Sequence, residues 1–322
     1  MPSWRTTRSD VTSVCHEMKS LLSWWAFGLV LVVLASGLTY VLWPTSTNQA
    51  LPTTPAEEVN PKLQHEVIGY SVEGRSIDVY IYGTGATHIG FVGGMHGGYE
   101  WNSVLLAYGL MDYLSAHPES IPAALSVSVI PDASPDGVHK VLGTEGRFNI
   151  TDVPTGVALD AGRFNAHNVD LNRNFDCKWQ ATSTWKGAVT SAGTKPFSEP
   201  EALAIREFVL MYRPDAMVFF HSKAGAVYAS QCKGDILPTT LDIMNAYAKA
   251  AGYHAIKVFD AYAVTGDAEG WLASIGIPAV TVELETHETV EWQRNLAGIQ
   301  ALFGYYAQLA KTASSTVRVI GK

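Results

Sequence analysis

A surplus of basic residues is missing from this sequence. Its 22 lysines and arginines stand against 30 aspartates and glutamates, which gives a formal net charge of −8 at pH 7. Nucleic-acid binding needs basic side chains that neutralise phosphates, so we expect no nucleic-acid partner. Solenoid-type repeats are missing too. The tetrapeptide GRFN occurs twice, at Gly146 and Gly162, but it is too short to indicate duplication. With 322 residues, 47% of them hydrophobic, the chain is long enough for one large α/β domain.

Charged residues are absent from 21–43, an apolar run long enough to cross a bilayer as a helix. Trp24, Trp25 and Trp43 lie near its two ends, as residues of an aromatic belt do. Lysine and arginine precede the run and return only at Lys62, so the positive-inside bias places the N-terminus in the cytoplasm. The alternatives are a buried core helix and a cleaved signal peptide, which would yield a secreted protein.

These patterns divide the chain into four parts. We expect a cytoplasmic tail at 1–20, a single-pass membrane anchor at 21–43, a Pro/Thr-rich linker at 44–61 and an extracytoplasmic globular domain at 62–315. The anchor would be the contact with the membrane.

Cysteine is scarce, with three residues in the whole chain. Cys15 falls on the cytoplasmic side, where it would stay reduced or be acylated. Cys177 and Cys232 both fall on the oxidising side, so we expect a disulfide between them, the alternative being two buried thiols.

Strand-like and helix-like segments alternate from residue 66 onward. Helical spacing of apolar residues predicts helices at 102–116, 201–212, 241–251 and 290–310, and Ser198 with Glu201 favours a capping box at the second. Period-two patterns or short apolar runs predict strands at 77–81, 125–129, 216–221 and 279–284. This order predicts a doubly wound α/β/α sandwich with a central mixed, largely parallel sheet, preceded by the transmembrane helix.

Residues suited to binding a metal occur where predicted strands end. His96 and Glu100 lie in a glycine-rich turn between a buried strand and a helix, which is where open α/β sheets place their sites. His221 ends an apolar strand and offers a third ligand, and such a set with an open fourth position for water is typical of catalytic zinc. The alternatives are a turn histidine at 96, a helix-start carboxylate at 100 and a satisfied core histidine at 221.

Other polar residues offer the remaining chemistry. Glu283 lies within the apolar run 279–284, where burial would raise the pKa of its carboxyl and suit it to act as a general base. Arg173 beside Asn172 offers a planar fork for a substrate carboxylate, and Arg163 could polarise a carbonyl. The alternatives are a solvent-exposed strand end for the glutamate and surface ion pairs for the arginines.

Seven motifs occur in order along the chain: HGGYEW, SPDG, VDLNRNF, PFSEPE, FHS, YAVTGDAEGW and VEL. Together they resemble the zinc carboxypeptidase family, of the carboxypeptidase A and B type, over roughly residues 68–309. The resemblance implies one zinc ion held by His96, Glu100 and His221, and a peptide substrate with a free C-terminal carboxylate. One departure is that three residues, where the family usually has two, separate His96 from Glu100; the glycines between them would allow such a bulge.

Further roles follow from the same resemblance. Glu283 would be the general base and acid, and Arg163, with Arg147 as a fallback, would polarise the scissile carbonyl. Asn172 and Arg173 would hold the terminal carboxylate of the substrate, and Tyr262 would close over the bound substrate. Asp170 would orient a zinc-bound histidine.

One position, Glu269, indicates which side chain the enzyme would prefer at the C-terminal residue of its substrate. Glu269 falls where family members that prefer basic C-terminal residues place an acid, and Asp267 is nearby. A pocket lined by such an acid would suit a positively charged group of the substrate. The alternative is that Glu269 is a solvated loop acid with no role in binding.

The sequence therefore predicts a membrane-anchored zinc metallocarboxypeptidase, a hydrolase that releases C-terminal residues. The alternative is a related zinc amidase or endopeptidase acting on murein stem peptides or small acyl-amino acids. A non-enzymatic receptor on the same fold is disfavoured, because the metal ligands and the base are all present. The linker leads almost directly into the globular domain, so we expect an enzyme made active and without a long pro-domain.

Overall fold

The computed structural model describes residues 63–155, 159–260 and 263–320. The predicted tail, membrane anchor and linker, all before residue 62, lie outside these ranges. None of the helices within them is long and apolar enough to cross a membrane. The membrane anchor and the extracytoplasmic location therefore stay predictions.

An eight-stranded mixed sheet forms the centre of the described structure. Its strand order is β1-β2-β4-β3-β7-β10-β8-β9, and β5 and β6 form a separate hairpin. The strands are β1 (Leu63–Tyr70), β2 (Ser76–Gly83), β3 (Thr87–Val92), β4 (Leu125–Ile130), β5 (Thr182–Trp185), β6 (Ala188–Ser191), β7 (Ala216–Ser222), β8 (Ala226–Ala229), β9 (His254–Ile256) and β10 (Ala279–Leu284). The four central strands β4, β3, β7 and β10 are mutually parallel, and both flanking strands are antiparallel to them. The predicted mixed sheet is confirmed, with its parallel pairing concentrated at the centre.

Helices cover both faces of the sheet. They are α1 (Trp101–Ala116), α2 (Pro135–Leu142), α3 (Pro200–Tyr212), α4 (Pro238–Ala251), α5 (Ala268–Ser274) and α6 (Trp292–Ile320). Buried side chains of α1, α4 and α6 share one apolar cluster with one face of the sheet, and those of α3 and α5 share a second cluster with the other face. The result is a three-layer α/β/α arrangement.

Strand β7 shows how the layers arise from the sequence. Val218 and Phe220 belong to one apolar cluster, and Met217 and Phe219 belong to the other. A strand covered on both faces needs apolar side chains at successive positions, which is why this segment is a continuous apolar run. Polar residues begin only at His221, where β7 reaches the edge of the sheet.

Three central strands carry the predicted site residues to one edge of the sheet. β3 ends at Val92, shortly before His96, and β7 ends on His221 and Ser222. β10 pairs with β7 in parallel register, so that Glu283 lies opposite His221. Carboxyl ends of parallel strands meet at the same edge, which brings these separate segments together.

The capping box expected at Ser198 and Glu201 does not form. Helix α3 begins at Pro200 with Glu199 at the N-cap and no side-chain cap bond. The Ser198 hydroxyl instead donates to Glu199 Oε1 at 2.8 Å and accepts from Asn174 Nδ2 at 3.0 Å. The adjacent Glu199 and the distant Asn174 therefore bind the hydroxyl that the local pattern assigns to the helix backbone.

Candidate metal centre and substrate cavity

The turn that carries the first two ligands depends on glycine. Residues Gly97–Glu100 form one 3-10 turn between β3 and α1. Gly97 has φ +45°, and a Cβ there would meet the Gly162 carbonyl oxygen at 2.6 Å and the Gly137 Cα at 2.8 Å. A larger residue would push this turn away from its neighbours. The tight turn places Glu100 Oε1 2.8 Å from His96 Nδ1, so the three intervening residues do not separate the two side chains.

His221 completes a cluster of three buried ligand atoms. Its Nδ1 lies 3.0 Å from Glu100 Oε2 and 3.2 Å from His96 Nδ1. The ligand atoms of the three residues all lie within 4.8 Å of one another. Two imidazole nitrogens and a carboxylate that converge in a buried space form a donor set that fits a zinc ion.

Each histidine of the cluster has a carboxylate at its other ring nitrogen. Asp170 Oδ1 lies 3.4 Å from His96 Nε2, and Glu269 Oε1 lies 3.4 Å from His221 Nε2. Carboxylates in this position fix the ring orientation of metal-binding histidines and make them more basic. Burial would raise the pKa of Asp170, but Arg163 and the contact with His96 hold it well below its usual value. Asp170 is therefore ionised, as the role predicted for it requires.

Glu283 lies beside this cluster and has a perturbed carboxyl. Its Oε2 is shielded from solvent and has no hydrogen-bond partner among the described residues. Burial, followed by the nearby negative charge of Glu100, raises the pKa of Glu283 to about 8. Such a carboxyl can take up a proton at neutral pH.

Arg163 is fixed beside the ligands by charge and by aromatic rings. Its Nε and Nη2 donate to Asp170 Oδ2 at 3.1 and 2.9 Å, and its Nη1 lies 3.6 Å from Glu100 Oε1. The guanidinium also lies 4.9 Å from the ring centroid of Trp185 and 5.8 Å from that of Tyr99. These contacts hold a positive charge at the metal centre, where a carbonyl oxygen could be polarised.

The fallback residue Arg147 lies elsewhere. Its guanidinium pairs with Asp112 at 2.9 Å and lies over the ring of Tyr108, and it is not among the residues that line the cavity at the metal centre. Of the two arginines, only Arg163 lines the cavity beside the ligand cluster.

Asn172 and Arg173 line the same cavity and are held by their own neighbours. The Asn172 amide oxygen accepts from the Ala268 backbone N–H at 2.8 Å, and its Nδ2 lies 3.4 Å from Glu269 Oε2. The Arg173 Nε donates to Ser183 Oγ at 3.2 Å. An amide and a guanidinium fixed side by side suit a carboxylate.

The cavity has a volume of about 690 Å³ and extends outward from the metal centre. Its walls include residues for which the sequence predicted no role. Tyr99 and Ser222 lie in the motifs HGGYEW and FHS, whereas the others lie outside the motifs: Lys178, Trp185, Lys223, Lys257, Thr281 and His287. The residues outside the motifs form no spacing pattern, so the sequence offered little by which to find them. Tyr262, predicted to close over the substrate, lies outside the described residues.

Glu269 lines the cavity and makes more contacts with neighbouring side chains than the sequence suggests. It is buried, with Oε1 accepting from the Thr281 hydroxyl at 2.9 Å in addition to its contact with His221. The alternative of a solvated loop acid is therefore wrong for Glu269. Asp267 also lines the cavity; its Oδ2 accepts from the Gly270 backbone N–H at 2.7 Å, and burial with the charge of Glu269 raises its pKa to about 6.

Cys177 and Cys232 form a disulfide, with a Cα–Cα distance of 5.7 Å. The bond ties the segment that follows Arg173 to the loop after β8. Ser230 and Gln231 of that loop line the cavity. The bridge thus links one wall of the cavity to the segment that carries Asn172 and Arg173.

The fold and the ligand cluster together define a metallohydrolase site on an α/β sheet. The family model for zinc carboxypeptidase matches residues 56–308, so this chain belongs to the zinc carboxypeptidase family. Members of this family are zinc-dependent hydrolases, in agreement with the ligand set found here.

Individual relatives match over shorter stretches. Carboxypeptidase B of Astacus astacus is 28% identical over 167 residues, which cover 49% of this chain and 53% of that protein. Murein peptide amidase A of Escherichia coli (strain K12) is 32% identical over 84 residues, which cover 23% of this chain and 34% of that protein. The matches thus span about half or less of the length of these relatives.

Solved structures share the fold. Bovine thrombin-activatable fibrinolysis inhibitor, in its complex with tick carboxypeptidase inhibitor, superposes with a TM-score of 0.61 at 19% identity, covering 80% of this chain and 92% of that chain. At this identity the likeness shows the fold alone.

Proposed function

We propose that this protein is a zinc-dependent carboxypeptidase that hydrolyses the last amide bond of peptides. The observation that carries the proposal is one cavity that contains a zinc-type ligand set, a base and a carboxylate-binding pair. The ligands are His96, Glu100 and His221, the base is Glu283, and the pair is Asn172 with Arg173. Membership of the zinc carboxypeptidase family supports the same activity.

The chain's own groups divide the work of binding and orientation. Asn172 and Arg173 hold the terminal carboxylate of the substrate, which makes the reaction specific for the chain end. Arg163 donates to the carbonyl oxygen of the scissile bond and stabilises the negative charge that develops on it. Asp170 keeps Arg163 and His96 in place through the same carboxylate.

Proton movement falls to Glu283. Its carboxylate takes a proton from the attacking water and passes it to the nitrogen of the leaving amine. Zinc, when bound, supplies the Lewis acidity that activates water and polarises the carbonyl.

Peptides that differ only at the C-terminal carboxylate test this function. We expect the full-length, zinc-loaded protein to release the last residue from a free peptide and not from its C-terminal amide. A chelator should abolish the release. Equal hydrolysis of the free and amidated peptides would contradict the proposal.

We propose a preference for a positively charged C-terminal side chain. The support is that Glu269 and Asp267, both acids, line the cavity near Asn172 and Arg173. Hippuryl-type substrates ending in Arg, Lys, Phe and Glu measure this preference. Fastest turnover of the Phe or Glu substrate would overturn it.

A second candidate is an amidase or endopeptidase of murein stem peptides or small acyl-amino acids. The matching segment of murein peptide amidase A supports it. Of the two candidates, only the carboxypeptidase releases single C-terminal residues from ordinary peptides. Cleavage of murein peptides without such release would favour this second candidate.

For location we keep the single-pass anchor at 21–43, with the N-terminus in the cytoplasm and the catalytic domain outside. The disulfide between Cys177 and Cys232 supports an oxidising compartment. Extraction of cell membranes with alkaline carbonate tests the anchor, because an anchored chain stays in the membrane pellet. Recovery of the chain in the supernatant would contradict it.

A further inference from the structure

A polar path leads from the metal centre to a histidine that the proposed mechanism does not use. Ser222 follows the ligand His221 and donates its backbone N–H to Glu100 Oε2 at 3.2 Å. The Ser222 hydroxyl lies 3.0 Å from Asn102 Oδ1 and 2.7 Å from His287 Nδ1. His287 therefore has a fixed position relative to the ligand cluster.

Asn102 sets the direction of these hydrogen bonds. Its Nδ2 donates to the carbonyl oxygens of Thr286 and Thr289 at 2.7 and 3.0 Å, so its Oδ1 must be the acceptor that faces Ser222. The single hydroxyl proton of Ser222 is thus committed to Asn102. The Nδ1 of His287 must then carry a proton and donate it to Ser222 Oγ.

The other ring nitrogen of His287 is left as an acceptor. A neutral imidazole with its proton on Nδ1 has a lone pair on Nε2. Burial lowers the pKa of His287 below its usual value, which favours this neutral form near pH 7. His287 lines the cavity, and in the described part of the chain its Nε2 has no hydrogen-bond partner.

The contacts that lead to His287 and those that lead to Asn172 start from opposite ring nitrogens of His221. Glu269, which contacts Asn172, lies at the Nε2 edge of the His221 ring. Glu100 lies at the Nδ1 edge of that ring and accepts from the Ser222 backbone N–H. The Ser222 hydroxyl in turn contacts His287. Both Asn172 and His287 line the cavity that contains the ligand cluster, so a peptide whose end is held by Asn172 and that continues past the cluster would bring its upstream residues to His287.

We propose that His287 Nε2 accepts a hydrogen bond from a backbone N–H of the substrate, upstream of the scissile bond. This assignment rests on the proposed carboxypeptidase activity and extends it to peptide substrates longer than a single acylated amino acid. Tyr99, whose ring centroid is 4.7 Å from that of His287, forms the adjoining wall. His287 thereby aligns an extended backbone in the cavity.

Tetrapeptides with one amide replaced by an ester test the contact directly, because an ester lacks the N–H. Two analogues are compared with the parent peptide, one with the second amide from the C-terminus replaced and one with the third. We expect wild-type kcat/KM to fall about fivefold for one analogue, the loss of an ordinary hydrogen bond. The full-length, zinc-loaded protein is used throughout.

Two substitutions separate binding from a structural role. His287→Asn keeps an N–H near Ser222 and removes the acceptor that faces the cavity, whereas His287→Gln offers an amide oxygen near the Nε2 position. We expect the asparagine variant to hydrolyse the parent peptide and the ester analogue with equal kcat/KM. The glutamine variant should recover part of the wild-type difference in kcat/KM between the two. His254→Ala, an exposed histidine outside the cavity lining, is the matched control and should discriminate like the wild type.

The outcomes also separate this inference from the carboxypeptidase proposal. If the wild type hydrolyses the parent and both esters at equal rates, or if His287→Asn discriminates like the wild type, the role of His287 is overturned. If the wild type releases no C-terminal residue from the parent peptide, the proposed function itself fails.

Discussion

His221 and Glu283 lie opposite each other in register on the parallel strands β7 and β10. One is a buried ligand of the candidate metal centre, and the other is a carboxyl whose pKa burial raises to about 8. Backbone hydrogen bonds between two central strands thus fix the separation of His221 and Glu283. Such a rigid placement suits the role of general base that we propose for Glu283.

Loss of the carboxylate behind His96 should weaken metal binding. In Asp170→Asn we expect zinc affinity to fall by about 10- to 100-fold, because His96 loses the anion that orients its ring and raises its basicity. Competition with a fluorescent zinc chelator measures this affinity. Asp160→Asn, at an exposed acid paired with Lys186, is the control and should bind zinc like the wild type. Unchanged affinity in Asp170→Asn would contradict the assigned role.

Arg173 should determine affinity for the free chain end. In Arg173→Lys we expect KM for free peptides to rise about tenfold or more, because lysine cannot form the planar two-pronged contact with a carboxylate. Steady-state kinetics on one peptide measure the change. Arg147→Lys alters an arginine outside the cavity lining and should leave KM unchanged. A larger effect at Arg147 than at Arg173 would refute the assignment.

The disulfide should contribute substantially to stability. Cys177 and Cys232 are 55 residues apart. Closing a loop of this length lowers the conformational entropy of the unfolded chain, which raises the free energy of unfolding by about 4 kcal/mol. We expect Cys177→Ala/Cys232→Ala to lower the free energy of unfolding by about that amount in urea titrations. Cys15→Ala is the control. An unaltered urea midpoint in the double variant would show that the bridge does not constrain the chain.

Asp132 should make stability depend on pH. Burial raises its pKa from 3.8 to about 7 in the folded state, so the folded state binds this proton more tightly than the unfolded state. Its contribution to stability is present below about pH 4 and is lost as pH rises through about 7. Between pH 5 and pH 8 the wild type should lose about 2–3 kcal/mol relative to Asp132→Asn.

Urea unfolding at the two pH values measures this difference. Asp112→Asn, at a largely exposed acid, is the control and should follow the wild type. Parallel pH profiles of the wild type and Asp132→Asn would show that Asp132 does not titrate between these pH values.

The central strands and the metal ligands could be predicted because each leaves a local pattern. The buried strand β7 needs a continuous apolar run, and a histidine at its end stands out against that run. Glycine at 97 and 98 likewise marks the tight turn that carries Glu100. In these places local preference and the final fold agree.

Apart from the contact of Asp170 with His96, which the family resemblance implies, the contacts around the ligands could not be predicted, because they join residues far apart in the chain. Asn172 and Glu269 are separated by 97 positions, and Ser222 and His287 by 65. Nothing in the spacing of these residues indicates that they meet. Trp185 also carries no signal, since its exposed hairpin has neither the length nor the apolar alternation of a core strand.

Metal content and peptidase activity of the full-length protein, measured for the wild type and for Glu283→Gln, test the central claim most directly. We predict one zinc ion per chain in both proteins, and a kcat for release of C-terminal residues at least about 100-fold lower in the variant. Glutamine keeps the shape of the side chain but cannot accept the proton. A variant as active as the wild type, or a wild-type protein that binds no zinc, would contradict the account.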